Sequence, residues 1–211
     1  MHMKQMVYTD GSMNHLMALF NVGARLPFLV QYLKGKTVLH VGCTDYPRFD
    51  PRNNLHIQLS REIENLHGMD IDARGIEILR QHVPGRLYSD YSQIDQFYDT
   101  VLVPEVIEHT LNPGLFLKAI FSIQTKEIIL LAPNAIEVVK QNAERFGWIR
   151  TKESKEPRYL ETVHQDHTTW YSPKTLSCLV EKAITEYQPG QWNLHRIFLC
   201  DLSVGCIIAR T

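Results

Sequence analysis

Glu105, Glu108 and His109 fall within five residues of one another, in the run Pro104-Glu105-Val106-Ile107-Glu108-His109. This run directly follows Asp99 to Val103, a short apolar stretch that reads as a buried strand. Two carboxylates and an imidazole on one turn of chain suit proton transfer at a hydroxyl. Histidine titrates near neutral pH, and a general base needs only hydrogen-bond reach of its proton. His109 is the first candidate base, with Glu108 beside it. His167 is the second, because its segment can fold back over the same place. The spacing E-x-x-E-H, completed by His164 or His167, also offers oxygen and nitrogen ligands to a divalent metal. A site without metal is the leading expectation, and structural hydrogen bonding is the plain alternative for each group.

A second set of residues sits where strands should end. Lys36 to Pro47, KTVLHVGCTDYP, runs three apolar residues (Val38, Leu39, Val41) into Gly42 and then into turn-prone residues. In an open parallel sheet ligands bind just beyond the carboxyl ends of the strands, and the first such turn holds the cofactor. A dinucleotide fingerprint needs G-x-G-x-x-G at this point. Here Gly42 stands alone, with Thr44 and Tyr46 in place of further glycines, and no GK[ST] follows. Bare backbone cannot cradle a pyrophosphate at such a turn, so a cofactor without phosphates fits better. Asp70, at the end of the next apolar run, can accept both hydroxyls of a ribose. Asp90 ends a third run and can accept from an exocyclic amine; its plain alternative is a turn aspartate.

These residues need elements to hold them. Strands are expected at 37–41, 65–69, 85–88, 99–103 and 127–132, alternating with helices at 55–62, 73–82, 112–122, 135–146 and 173–183. Asp72 and Ser172 are natural helix N-caps, and Pro113 and Pro173 suit first helical positions. Alternation of this kind makes a parallel, doubly wound α/β sheet. The tail offers two further strands, 185–189 and 203–209, with no helix between them and hence an antiparallel pairing. Met13, Leu16, Met17, Leu19, Phe20 and Val22 recur at roughly helical spacing, so 12–25 and 27–34 read as two helices. Residues 147–162 read as a polar surface loop. Trp170 and Tyr171 suit either an acceptor wall or core packing.

The chain has 211 residues, enough for one α/β domain and a short extension. A net charge of −1 excludes a global basic field for nucleic acid, which is a disfavoured partner. The four cysteines, Cys43, Cys178, Cys200 and Cys206, form no C-x-x-C pair and read as reduced thiols. No apolar run approaches the ~20 residues of a membrane span, and no signal-peptide pattern is present, so a cytoplasmic protein is expected.

Taken in order, these stretches resemble the class I S-adenosylmethionine-dependent methyltransferases, in particular the methyltransferase type 11/12 group. VLHVGC (38–43) is similar to the first motif, MDID (69–72) to the second, and SD (89–90) to the adenine-contacting position. YDTVLVPEVIEHTLNPGLFL (98–117), IILLAPNA (128–135) and HQDHTTWYSPKTLSCLVEKA (164–183) resemble the later segments of that group. The resemblance covers about 36–209. It implies a Rossmann-like, doubly wound, seven-stranded and mostly parallel sheet with a reversed last strand, preceded by an N-terminal helical extension. Residues 1–34 would form that extension and 35–211 the methyltransferase domain. It implies S-adenosylmethionine as cofactor, held by His40, Gly42, Cys43, Asp70, Ile71, Asp90, Tyr91, Val103 and Pro104. His40 departs from the acid usual in the first motif, and Thr44 and Tyr46 depart from its glycines. The implied reaction is methylation of a hydroxyl on a small molecule or glycan precursor, and a homodimer is allowed for. Two other functions stay open. Small-RNA 3′-terminal 2′-O-methyltransferases carry a similar EVIEH and a downstream H-x-H, with a metal held by the equivalents of Glu105, Glu108, His109 and His164 or His167. A non-catalytic binding module would also tolerate the altered first motif.

Overall fold

The protein is described by a computed structural model that covers residues 4–9, 16–136 and 166–211. The N-terminal segment contributes β1 (Lys4–Thr9) and β2 (Leu16–Asn21), then α1 (Arg25–Leu33). Next come β3 (Val38–Val41), α2 (Leu55–Ser60), β4 (Leu66–Met69), α3 (Ala73–Leu79) and β5 (Leu87–Tyr88). The second half supplies β6 (Tyr98–Pro104), α4 (Pro113–Ser122), β7 (Thr125–Pro133), α5 (Pro173–Tyr187), β8 (Trp192–Cys200) and β9 (Ser203–Arg210). All nine strands form one sheet in the order β1-β2-β8-β9-β7-β6-β3-β4-β5.

Seven of these, β3 to β9, make the expected doubly wound sheet. β3, β4, β5, β6 and β7 pair in parallel, and β9 runs antiparallel to both β7 and β8. The Rossmann-like architecture with a reversed last strand is therefore what the sequence signalled. Period-2 alternation places the two faces. Along β7, Ile128, Leu130 and Ala132 face α4 and α5, packing with Leu117, Phe121, Leu176 and Val180. Ile129 and Leu131 face the opposite layer, with Leu29 and Leu33 of α1.

Two expectations are corrected. The stretch expected as a helix over 12–25 is a strand at 16–21, antiparallel to β1 and parallel to β8. An apolar run this short satisfies both periods. The deciding factor is the otherwise open edge of β8, where Leu19 enters the α4/α5 core and Phe20 packs against the α1 layer. The sheet thus has nine strands, and the N-terminal segment joins it directly rather than covering it. Likewise, 185–189 is not a strand. Helix α5 continues to Tyr187, because Ala183 and Ile184 keep its buried stripe in register, and the strand begins at Trp192. The other boundaries move by a few residues. Most of the helix expected at 135–146 and the loop at 147–162 lies outside the described residues.

Local chemistry accounts for the helix starts. Asp72 accepts from the backbone N–H groups of Arg74 and Gly75, and Asn112 accepts from Leu115 N–H. Ser172 and Thr175 form a reciprocal cap ahead of Pro173. Near the amino ends of β6 and β7 Glu127 accepts from Tyr32 Oη (2.9 Å), Lys36 Nζ (2.7 Å) and Thr100 Oγ1 (2.6 Å). That network ties α1 to β6 and β7, and Lys36 holds the Glu127 carboxyl below its ordinary range against the cost of burial. No helix among the described residues is long and apolar enough to cross a membrane.

Candidate functional site

The carboxyl ends of β3 to β7 lie along one edge, and the candidate residues gather there. Gly42 closes β3 with φ +77°, a conformation that L side chains rarely adopt. A Cβ at this position would also collide with the Val106 side chain, so the turn after β3 and the turn after β6 are in close contact. Gly42 N–H donates to Met69 O (2.8 Å), which ties the first turn to β4.

Side chains then shape what glycines would otherwise shape. Asp70 Oδ2 accepts from Thr44 N–H (3.1 Å) and Thr44 Oγ1 (2.8 Å), while Oδ1 accepts from Asp72 N–H (3.0 Å). Asn54 donates to Cys43 O and Asp45 Oδ2, both at 2.9 Å, and caps α2 through Ile57 N–H. Asp45 takes φ +54°. Gly75 of α3 completes the packing: a Cβ there would meet Thr44 Oγ1 at 2.6 Å and Tyr46 Cβ at 2.9 Å. Thr44, the residue in place of a glycine, is fully buried as a hydrogen-bonding post.

Around this turn stand the other expected cofactor residues. Ile71 is 81% exposed, an apolar side chain held open beside Asp70. The Tyr91 hydroxyl is pushed up to about 12 by burial and then by the Asp70 charge, so the two share one corner. Asp90 caps the short 3-10 turn Tyr91–Gln93, accepting from Ser92 N–H at 2.7 Å. Val103 and Pro104 end β6 as buried residues. His40 and Cys43 differ. Cys43 packs beneath the turn with Ile57 and Ile76. The His40 ring is 1% exposed and turned under α2, with Nδ1 3.2 Å from His56 Nδ1.

The acid–histidine turn follows β6. Glu105 takes φ +54° and donates its N–H to Leu131 O (3.0 Å). Its Oε1 accepts from Ser203 Oγ (2.6 Å) and lies 3.6 Å from Arg25 Nη1. Glu108 is buried, and neither carboxyl oxygen has a hydrogen-bond partner among the described residues. Burial, with the Glu105 charge second, pushes its carboxyl up to about 8. His109 Nε2 is 3.9 Å from Glu108 Oε1, and its Nδ1 donates to Asp166 O at 3.3 Å. The His167 ring meets the His109 ring edge-on at 4.8 Å between centroids, with Trp170 behind it at 6.3 Å. One ligand atom each from Glu108, His109 and His167 lies within 4.8 Å of the others, a set able to hold a metal ion. Glu105 is not in that set, and His164 lies outside the described residues.

Segment 166–171 is bound across this turn by Thr168. Its N–H donates to Glu108 O (2.7 Å), and its hydroxyl lies 3.0 Å from Glu108 O and 2.7 Å from Thr110 O. Ala135 N–H donates to Tyr171 O (2.8 Å), and Tyr171 itself is core. Sequence reasoning missed Asn54, Thr168, Ser203 and Arg25, which belong to no spaced motif. The one available signal was Asn53-Asn54 before a helical run, which marks an N-cap.

A sheet of this strand order and direction is the fold of the class I S-adenosylmethionine-dependent methyltransferases. Solved structures agree. Magnesium protoporphyrin IX methyltransferase (ChlM) from Synechocystis PCC 6803, with bound SAH, has a TM-score of 0.54 and 14% identity over 88% of this chain and 82% of its own. The plantazolicin methyltransferase BpumL, in complex with SAH, gives 0.58 and 12% over 88% and 82%. The small RNA methyltransferase HEN1 gives 0.59 and 14% over 88% of this chain, which spans a quarter (25%) of that protein. No protein-family model matches the sequence, and no curated protein matches it.

Proposed function

We propose that the protein is an S-adenosylmethionine-dependent methyltransferase acting on a hydroxyl group. The observation that carries this reading is the corner formed by Gly42, Thr44, Asp70, Ile71 and Tyr91: a fixed turn, a positioned carboxylate and an exposed apolar side chain at a sheet edge. These residues fit the cofactor. Asp70 would hold the ribose hydroxyls, Ile71 would cover the adenine, Asp90 and Tyr91 would border it, and the Gly42 turn would face the methionine part beside Val103 and Pro104. The bound cofactor supplies a methyl group on a sulfonium. The protein's own task is to align the acceptor and take its proton. His109 stands over the crevice edge for that purpose, with Glu108 and His167 fixing its surroundings. His109 would accept the hydroxyl proton as the acceptor oxygen bonds to the methyl carbon and the carbon–sulfur electron pair stays on sulfur. The acceptor on this reading is a small molecule or glycan precursor.

One observation favours a second reading. Glu108, His109 and His167 converge within 4.8 Å, and the Glu108 carboxyl is buried without a hydrogen bond among the described residues. A divalent cation would satisfy that carboxyl and could orient two vicinal hydroxyls, which supports a metal-dependent methyltransferase acting on the 2′-hydroxyl of an RNA 3′ end. The likeness to HEN1 is in keeping with it.

Calorimetric titration with S-adenosylhomocysteine tests the common part. Micromolar binding is expected, and Asp70→Ala should weaken it about tenfold or more, since two charge-assisted hydrogen bonds are lost. No binding by the wild-type chain would sink both readings and leave a non-catalytic module. Methyl transfer to an RNA 3′ end that stops on adding a chelator selects the second reading; chelator-insensitive transfer to a small-molecule or glycan hydroxyl, with RNA untouched, selects the first.

A further inference from the structure

We infer that Arg25 and Glu105 together recognise the zwitterionic amino-acid end of the cofactor, in place of the acid that His40 replaces. This rests on the cofactor reading above. An α-amino acid presents an ammonium and a carboxylate on the same carbon, and a matching site needs one anion and one cation side by side. The first-motif strand supplies no anion: its residue is His40, 1% exposed and turned under α2 against His56. The anion instead comes from the next strand over. Glu105 follows β6 directly, and its left-handed φ of +54° swings the side chain toward β9 and α1. Ser203 and Arg25 both contact Oε1, which leaves Oε2 as the acceptor offered to an ammonium.

Arg25 opens α1, and its position is fixed independently of Glu105. Its backbone N–H donates to Asp201 Oδ2 (2.8 Å), and Asp201 N–H donates to Gly23 O (3.1 Å), so the helix start is tied to the β8–β9 hairpin. From there the guanidinium is about one-third exposed (34%) and 3.6 Å from Glu105. Its charge is felt by Asp45 in the turn after β3 and by Glu105 and Glu108 in the turn after β6. It therefore stands between the two turns that Gly42 and Val106 bring together. A guanidinium has five N–H donors in a planar fork, and one contact with Glu105 leaves enough for a bidentate hold on a carboxylate.

Three ligands separate the two halves of this claim: S-adenosylhomocysteine, decarboxylated S-adenosylmethionine, which keeps the amine but lacks the carboxylate, and 5′-methylthioadenosine, which lacks both. Each is titrated calorimetrically into the full chain, its Arg25→Gln and Arg25→Lys variants, and Glu105→Gln. Arg25→Gln should weaken S-adenosylhomocysteine about tenfold or more and leave the other two unchanged. Arg25→Lys should fall between, keeping charge without the fork. Glu105→Gln should weaken both amine-bearing ligands and spare 5′-methylthioadenosine. Equal effects on all three ligands, or none on any, would overturn the inference and reduce the pair to a structural tie. A wild-type chain that binds none of the three overturns the cofactor reading itself. One that binds 5′-methylthioadenosine as tightly as S-adenosylhomocysteine overturns only this inference.

Discussion

The buried pair His40–His56 makes stability fall in mild acid by an amount the structure allows to be worked out. The rings face each other at 3.2 Å between Nδ1 atoms, so one Nδ1 must carry a proton and the other must be bare. Both residues are essentially unexposed, and neither Nε2 has a partner among the described residues. Burial, with the nearby His67 second, lowers His56 to about 4. Burial, with His56 second, lowers His40 well below its ordinary range. In the unfolded chain each imidazole binds a proton near pH 6.5. Between that value and the folded-state value the unfolded chain holds more protons, so stability is full above pH 6.5 and drains as pH falls toward 4. At ~1.4 kcal/mol per pH unit, His56 alone loses about 2 kcal/mol between pH 6.5 and pH 5. His40 shifts stability with the same sign. The assay is urea unfolding at pH 7.5 and pH 5.0 on the wild type and on the double variant His40→Leu/His56→Leu. Replacing both partners by apolar groups of similar size leaves no buried orphan, so the variant should fold. Other titrating groups are common to both chains and cancel in the difference. The wild type should lose at least about 2 kcal/mol more than the variant, the share of His56 alone. An equal loss in both chains would refute the assignment of the rings as a neutral, mutually bonded pair.

Three further outcomes are expected. Gly42→Ala forces a left-handed residue and a collision with Val106, so denaturant unfolding should show a loss of about 2–4 kcal/mol, and S-adenosylhomocysteine titration a loss of binding. Glu127→Ala leaves Tyr32, Lys36 and Thr100 without their shared acceptor and should cost about 2–4 kcal/mol in the same unfolding assay. Because that network lies at the amino ends of the strands, opposite the candidate site, ligand affinity should not change. Thr168→Val removes the hydroxyl that bridges Glu108 O and Thr110 O. Hydrogen exchange by mass spectrometry should then speed up in 166–171 while α4 and β7 keep their protection; unchanged exchange would mean the segment is held by something other than Thr168.

The legible parts of the sequence are those where the deciding forces are local. Strands β3, β4, β6 and β7 are apolar runs closed by Gly42, Asp70, Glu105 and Asn134, and the caps Asp72, Asn112 and Ser172 announce their helices. The acid–histidine turn was visible because its three groups are adjacent in sequence, and His167 because its segment follows β7. What was not legible depends on partners far along the chain. Residues 16–21 become a strand only because β8, nearly two hundred residues away, offers a free edge. His40 reads as a motif position, yet the structure turns its ring to His56, a residue with no motif of its own. Arg25 gave no signal at all, since an arginine at a helix start is ordinary until Glu105 is seen beside it.

The glycine-poor turn changes meaning for the same reason. In the sequence, Thr44 and Tyr46 look like damage to a cofactor loop, because glycines there would let the backbone adopt unusual conformations and approach a ligand. In the structure Thr44 spends its backbone N–H and its hydroxyl on Asp70, and Asn54 fixes the residues on either side of it, Cys43 and Asp45. The glycine that relieves the crowding sits instead at Gly75, on the helix after β4. A loop made of glycines is permissive but costly to order, because each loses the most conformational freedom on folding. A loop pinned by a threonine, an aspartate and an asparagine is already ordered when the ligand arrives. The same carboxylate that would hold the ribose is thus a structural part of the first turn. Asp70→Ala should therefore weaken cofactor binding by loosening that turn as well as by losing two hydrogen bonds. Thr44→Val, which removes only the hydroxyl tie, separates the two contributions: it should weaken S-adenosylhomocysteine measurably but less than Asp70→Ala. An affinity equal to the wild type would show that the turn holds its shape without Thr44.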